Sequence, residues 1–191
     1  MMNNIKFYAF TDDLNETKMF NIKKFKNIAL IYKCLESNNI NNEKIIFIKN
    51  FCKKNKIPFI ISDNIKLAKK YDTEGLFISS TNKMIFNFRN FKKNFYIIGS
   101  AHNISEYCTK IKQGCKTIML SPIFFNKKYT INKILEVNKF NLISKEWKSN
   151  ICALGGINLN NLNKIKMTKA TSVAFLSFID LNKIKKPVYY F

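Results

Sequence analysis

The sequence predicts an α/β fold, specifically a (β/α)₈ TIM barrel that is compact and has reduced outer helices. Three observations carry this expectation. Eight short apolar runs alternate with helix-patterned segments, as parallel β/α units require. Most of the runs are continuously apolar instead of alternating, which suits strands covered on both faces. Nearly every run ends on a polar residue or glycine, at the end of the barrel where such folds carry their chemistry.

Taken in order, the strands are predicted at Lys6–Thr11, Asn27–Lys33, Pro58–Asp63, Gly75–Ser80, Phe95–His102, Thr117–Ile123, Ile151–Ile157 and Ser172–Ile179. Between the first two, only part of Leu14–Lys26 is left for a helix. Asn42–Lys56 is the strongest helix, placing Ile45, Ile46, Ile48, Phe51 and Cys52 on one side and lysines on the other. Ser62 or Asn64 caps Ile65–Tyr71, Asn103 caps Ile104–Gln113, and Asn158 caps Leu159–Thr168. Thr81–Lys93 is short, and the tail from Asp180 scarcely supports an eighth helix. A trimmed barrel explains 191 residues where about 250 are usual. No linker and no low-complexity block interrupts the chain, so one domain over residues 1–191 is expected.

Composition agrees. With 47% hydrophobic and 14% aromatic residues the chain can bury a sizeable core. No apolar run approaches the roughly 20 residues of a membrane helix. Lys6 is followed only by Phe7–Phe10 before Thr11, too short for a signal-peptide core, so a cytoplasmic protein is expected. Cys34, Cys52, Cys108, Cys115 and Cys152 include no C-x-x-C pair and are odd in number, which favours buried free thiols over a zinc site or disulfide framework.

The net charge of +21 invites a nucleic-acid reading. Yet Arg89 is the only arginine, and arginine's fork is the preferred group for phosphate and base edges. The lysines are scattered and accompany an excess of Asn, Ile and Phe, residues that share A/T-rich codons. Base composition accounts for the charge, and no dedicated nucleic-acid partner is expected.

The strand ends read Thr11-Asp12-Asp13, Tyr32-Lys33, Ser62-Asp63-Asn64, Ser79-Ser80, Ser100-Ala101-His102, Ser121-Pro122, Gly155-Gly156 and Ser177. Gly155-Gly156 is the sharpest: paired glycines let backbone N–H groups approach a phosphate, and a helix N-terminus would add its dipole. The plainer alternative is a tight turn that needs glycine for its backbone alone. Asp12 and Asp13 read as loop or cap residues. His102 is as well suited to tying a turn together as to acting on a substrate.

Several of these motifs resemble thiamine phosphate synthases and the wider TenI superfamily. They are Tyr8-Ala9-Phe10-Thr11-Asp12, Pro58-Phe59-Ile60-Ile61-Ser62-Asp63, Gly99-Ser100-Ala101-His102-Asn103, Ser121-Pro122-Ile123-Phe124, Ala153-Leu154-Gly155-Gly156-Ile157 and Val173-Ala174-Phe175-Leu176-Ser177. They run in order from residue 6 to about residue 179. The resemblance implies coupling of hydroxymethylpyrimidine pyrophosphate to hydroxyethylthiazole phosphate with Mg²⁺ as cofactor and phosphorylated small molecules as partners. It implies Asp63 as a metal ligand with Asn82 at the second ligand position. Ser62, Ser100, Lys33, Asn126, Lys127 and Lys128 fall on the pyrophosphate side, and Gly155, Gly156, Leu176 and Ser177 at the thiazole-phosphate seat.

Departures accompany it. Asn82 stands where the family has a second aspartate, and Ile31-Tyr32-Lys33-Cys34 replaces a Gln-x-Arg-x-Lys motif. Pro122 stands where related tautomerases carry a histidine, which argues against that activity. The pyrophosphate half is thus altered and the thiazole-phosphate half intact. This leaves two readings, a divergent synthase or a non-catalytic barrel that binds a phosphorylated thiazole or thiamine phosphate. Homo-oligomerisation is left open.

Overall fold

The computed structural model describes residues 5–33, 41–126, 130–158, 160–176, 184 and 186–189. Eight parallel strands close into a barrel in chain order. They are β1 (Phe7–Thr11), β2 (Ile28–Tyr32), β3 (Phe59–Ser62), β4 (Gly75–Ile78), β5 (Tyr96–Ala101), β6 (Thr117–Leu120), β7 (Asn150–Leu154) and β8 (Ser172–Phe175). Phe7 stands level with Ile28 on one side and Val173 on the other, which closes the sheet without an edge. The predicted strands coincide with these, most running too far at the C-terminal end. There the polar tops leave the ladder and become the mouth.

Helices α1 (Glu16–Ile22), α2 (Asn42–Lys54), α3 (Ile65–Lys70), α4 (Ile104–Lys112) and α5 (Glu136–Glu146) lie outside. Asn15, Asn41, Asn64 and Asn103 cap the first four, each accepting a backbone N–H at 2.9–3.0 Å. Such a cap is worth about 1 kcal/mol against alanine, so the asparagine bias serves the fold. Asn64, not Ser62, therefore caps α3. Along α2, Ile45, Ile48 and Cys52 are buried while Ile46 points outward, a narrower apolar stripe than predicted.

The connection from β7 to β8 departs from expectation. Among the described residues between Gly156 and β8 the helical element is a six-residue 3₁₀ helix, Leu162–Met167, and not an α-helix. The Asn158 side chain accepts the N–H groups of Asn160 at 2.9 Å and Asn161 at 3.2 Å, closing a turn ahead of it. Between β4 and β5 a helix is absent too. Phe86, Phe88 and Phe91 pack there with Phe95, with the Phe91 and Phe95 rings 4.3 Å apart. At the C-terminus, Val188 bridges to Phe25 and Ile184 N–H donates to the buried Asn21 side chain at 2.8 Å.

The sheet divides the apolar interior in two. Tyr8, Phe10, Ile31, Ile60, Phe77, Ile98, Met119 and Leu154 fill the barrel itself. The alternate residues, among them Phe7, Leu30, Ile61, Ile78, Ile118 and Val173, pack outward beneath the helices. Low in the barrel the Tyr96 and Thr117 hydroxyls pair. Burial pushes the Tyr8 phenol far above its ordinary range, so it remains a neutral filler. Side chains fill the barrel below its mouth, and in this fold class the chemistry sits at the C-terminal ends of the strands.

Candidate active site

Asp63 sits one residue past β3 in the left-handed region, with φ 55°. This conformation costs most L-residues roughly 1–2 kcal/mol but is tolerated by Asp and Asn. It turns the carboxylate sideways to the top of β4. There Oδ1 accepts the Ser79 N–H at 2.9 Å and the Asn82 side-chain amide at 3.0 Å. Oδ2 accepts the Ser62 hydroxyl at 3.2 Å.

The structure brings Asn82 to Asp63, as expected for a second ligand position, but orients it differently. Its Oδ1 is occupied by the Met84 N–H at 3.0 Å, so the amide NH₂ faces the carboxylate. Asn82 thus steadies Asp63 by donating to it, and its place as a second ligand rests on the resemblance alone. Beneath the loop lies a fully buried lysine. Lys110 Nζ donates to the Asn82 carbonyl at 2.7 Å and to Gln113 Oε1 at 2.8 Å. Burial pushes its pKa down, while Cys115, Asp63 and Glu106 pull it up. Neither Lys110 nor Gln113 was singled out from sequence, because a lysine on a helix reads as a solvated one. The signal was Gly99 in mid-strand, which leaves the room that the lysine stem fills.

Lys33 follows β2, half-buried, with Nζ 5.4 Å from the centre of the Phe10 ring. The pairing of Tyr32 with Ile61 sets Lys33 level with Ser62 on the neighbouring strand. Ser100 is buried near the top of β5, and Leu176 packs on the barrel interior after β8. His102 joins two strand ends: Nδ1 lies 2.8 Å from the Ser121 carbonyl oxygen and 3.1 Å from its hydroxyl. Its N–H donates to Glu106 at 2.7 Å, so the turn-tying role describes it. Asp12 and Asp13 both pair with Lys18 at the start of α1.

Gly155 and Gly156 have φ of 94° and 70°. A Cβ on Gly156 would fall 2.3 Å from the Phe124 carbonyl oxygen, and one on Gly155 2.9 Å from Pro122 Cα. The glycines are therefore required first by the loop after β6, which lies against them through Ile123 N–H to Leu154 O and Phe124 N–H to Gly155 O at 2.9 and 3.0 Å. Asn126, on that loop, comes within 3.6 Å of the Gly155 Cβ position. The Gly156 N–H makes no hydrogen bond among the described residues. With a short 3₁₀ helix following, the expected helix dipole is not a feature of this corner. Lys127, Lys128 and Ser177 lie outside the described residues.

Elsewhere Cys52, Cys115 and Cys152 are buried and Cys108 is exposed, all as free thiols. Burial pushes Cys115 and Cys152 up to about 12, which leaves them protonated and unreactive. A cleft of about 780 Å³ opens at the opposite, N-terminal end, lined by Lys49, Lys53, Lys56, Lys92, Lys93 and Lys116 over Phe59 and Phe95. Asp72 and Glu74 hold Lys92 there at 3.4 and 3.5 Å.

Fold and site together define a (β/α)₈-barrel enzyme with a polar, glycine-bearing mouth at the C-terminal ends of its strands. Residues 35–179 match the thiamine monophosphate synthase family. The thiamine-phosphate synthase of Pelagibacter ubique is 30% identical over 190 residues, 97% of this chain and 89% of that one. That of Fusobacterium nucleatum is 27% identical over 192 residues, 91% and 88% of the two chains. Thiamine phosphate pyrophosphorylase from Pyrococcus furiosus superposes with a TM-score of 0.76 over 97% of this chain and 93% of that chain, a likeness of fold at 18% identity. The chain belongs to the thiamine monophosphate synthase family and is a transferase.

Proposed function

We propose that this enzyme joins hydroxymethylpyrimidine pyrophosphate to hydroxyethylthiazole phosphate in the cytoplasm, releasing pyrophosphate. The observation that carries the reading is the family match over residues 35–179, which takes in Asp63 on one side of the mouth and Gly155-Gly156 on the other. In this reaction the bond from the pyrimidine methylene to the pyrophosphate oxygen breaks, and the oxygen keeps the electron pair. The thiazole nitrogen then supplies the pair for the new C–N bond. No proton needs removal at the reacting carbon. The demand is for charge neutralisation at the leaving group, which suits the Lys33 ammonium at the mouth and calls for no general base.

Among the described residues no group of three or more His, Cys, Asp or Glu side chains gathers to hold a metal. A single carboxylate nevertheless fits Mg²⁺, which takes one or two protein carboxylates and completes its shell from substrate phosphates and water. Asp63 would hold it through Oδ2, since Oδ1 is already engaged twice. When bound, the ion would offset the charge growing on the pyrophosphate. Lys33, Lys127, Lys128, Ser100, Ser62 and Asn126 are assigned to the pyrophosphate side. Gly155, Gly156, Leu176 and Ser177 are assigned to the thiazole phosphate. Incubation with both substrates and Mg²⁺, followed by assay of thiamine phosphate and pyrophosphate, tests the proposal directly. Chelation with EDTA should stop turnover and added Mg²⁺ restore it.

One observation favours a second reading, in which the barrel binds thiazole phosphate or thiamine phosphate without reaction. The amide of Asn82 faces Asp63 where the resemblance implies a second acid. Binding without product formation would select it.

Lys33→Met should lower the rate by about 10²–10³, the size of effect for a preorganised charge stabiliser. Lys53→Ala and Lys54→Ala, on α2 away from the mouth, should leave it within twofold or so. Lys53 also lines the cleft at the far end, so an equal loss there would point to general attraction of polyanions.

A further inference from the structure

We propose that Lys110, acting with Gln113, is a positioning residue: it anchors the loop after β4 so that Asn82 holds the Asp63 carboxylate toward the pyrophosphate side. The inference rests on the synthase reading given above and names a device within it.

Lys110 is 0% exposed and lies on the outer side of the sheet, between α4 and β5. Its stem crosses Gly99 so closely that a Cβ there would fall 2.7 Å from Lys110 Cδ and 2.9 Å from Cγ. The ammonium reaches the Asn82 carbonyl at 2.7 Å, and Gln113 Nε2 reaches the same oxygen at 2.9 Å and the Met84 carbonyl at 2.8 Å. Two carbonyls of one loop are thereby gripped from beneath by two side chains of a single helix end. The Asn82 side chain carries the grip onward, with Oδ1 on the Met84 N–H and the amide on Asp63 Oδ1, both at 3.0 Å. The path from ammonium to carboxylate is thus one residue long.

A buried ammonium is a costly anchor, and an amide such as Gln113 already supplies neutral donors. The loop explains the need. Residues 81–93 form no helix, and locally the Asn82 backbone is held by one turn bond, from its N–H to the Ser79 carbonyl at 3.1 Å, so its carbonyl is anchored from outside the segment. The lysine also sets a positive charge behind the acidic group. Where the resemblance implies a second aspartate, this chain has Asn82 braced by a cation.

The test is steady-state kinetics on Lys110→Met with Mg²⁺ and each substrate varied. Expected are a 10–100-fold fall in kcat and a raised Mg²⁺ requirement, with KM for thiazole phosphate within twofold, because that seat lies across the barrel. Lys110→Met made in an Asn82→Ala background should cost little more than Asn82→Ala alone, since both act on the same carboxylate. Unchanged kcat and Mg²⁺ requirement would overturn the proposal, as would fully additive effects or a KM for thiazole phosphate rising in step with the loss. Should Lys110→Met fail to fold, Gln113→Leu carries the same expectations and the same means of refutation. If the wild-type protein makes no thiamine phosphate, the synthase reading fails, and calorimetric binding of magnesium pyrophosphate decides the positioning role separately. At least tenfold weaker binding to Lys110→Met supports it; equal binding, or none to wild type, overturns it.

Discussion

Asp63→Ala should lower Mg²⁺-dependent turnover by about 10³-fold or more, the several kcal/mol that a metal-held leaving group contributes to the transition state. It should leave a folded barrel. The alanine loses bonds from the Ser79 N–H, the Asn82 amide and the Ser62 hydroxyl, each on the order of 1 kcal/mol for an exposed carboxylate. It also keeps a φ of 55° that suits it poorly, for roughly 1–2 kcal/mol more. Asp63 is exposed, and the substitution leaves the apolar core untouched. Asp63→Asn isolates the charge, because asparagine tolerates the same backbone and retains an acceptor for both donors. Its melting temperature should stay close to wild type while its activity follows that of Asp63→Ala. Circular dichroism melting and product assay on the pair check both parts. Normal turnover by either variant would remove the metal role from Asp63.

The fold was legible because parallel strands covered on both faces need apolar side chains on both, and continuous runs such as Ile28–Tyr32 declare that without reference to distant partners. Helices announced themselves where a local cap did the work, as at Asn64 and Asn103. Helix α5 was not foreseen for the opposite reason. Leu135 offers no side-chain cap, and its start is fixed by Leu135 N–H to Pro122 O and Glu136 N–H to Ile123 O at 3.0 and 2.9 Å. Such bonds join the helix start to the loop after β6, and neither apolar periodicity nor a capping side chain signals them.

The site divides along the same line. Asp63, Lys33 and Gly155-Gly156 were legible because each ends a strand, and the barrel topology turns strand ends into a mouth. The contacts that orient them were not. Which way the Asn82 amide faces depends on the Met84 N–H taking its oxygen, and what holds Asn82 is a lysine from another helix. Residue types foretold the groups at the mouth, and packing alone decided their directions.

Gly156→Val should abolish binding of thiazole phosphate and thiamine phosphate, for a reason that differs from simple blocking of a ligand. The new Cβ would meet the carbonyl oxygens of Phe124 at 2.3 Å and Phe125 at 2.5 Å, which are backbone and have no rotamer to yield. A β-branched residue at φ 70° adds strain of its own, about 1–2 kcal/mol, to roughly 1–3 kcal/mol for overpacking. The loop after β6 must move, and with it the two carbonyls that start α5. Several kcal/mol lost would show as a lower melting temperature before any ligand is added. For wild type, a ligand at a hundredfold excess over Kd adds about 2.7 kcal/mol, or about 5–10 °C for a chain of this size. Thermal melts of wild type and Gly156→Val, each with and without thiazole phosphate, therefore separate the two effects. The expected pattern is a shift in wild type, a lowered baseline in the variant and no shift on ligand. A variant that keeps both its baseline and its shift would place the phosphate elsewhere. No shift in folded wild type with either ligand would remove the seat, and both functional readings with it.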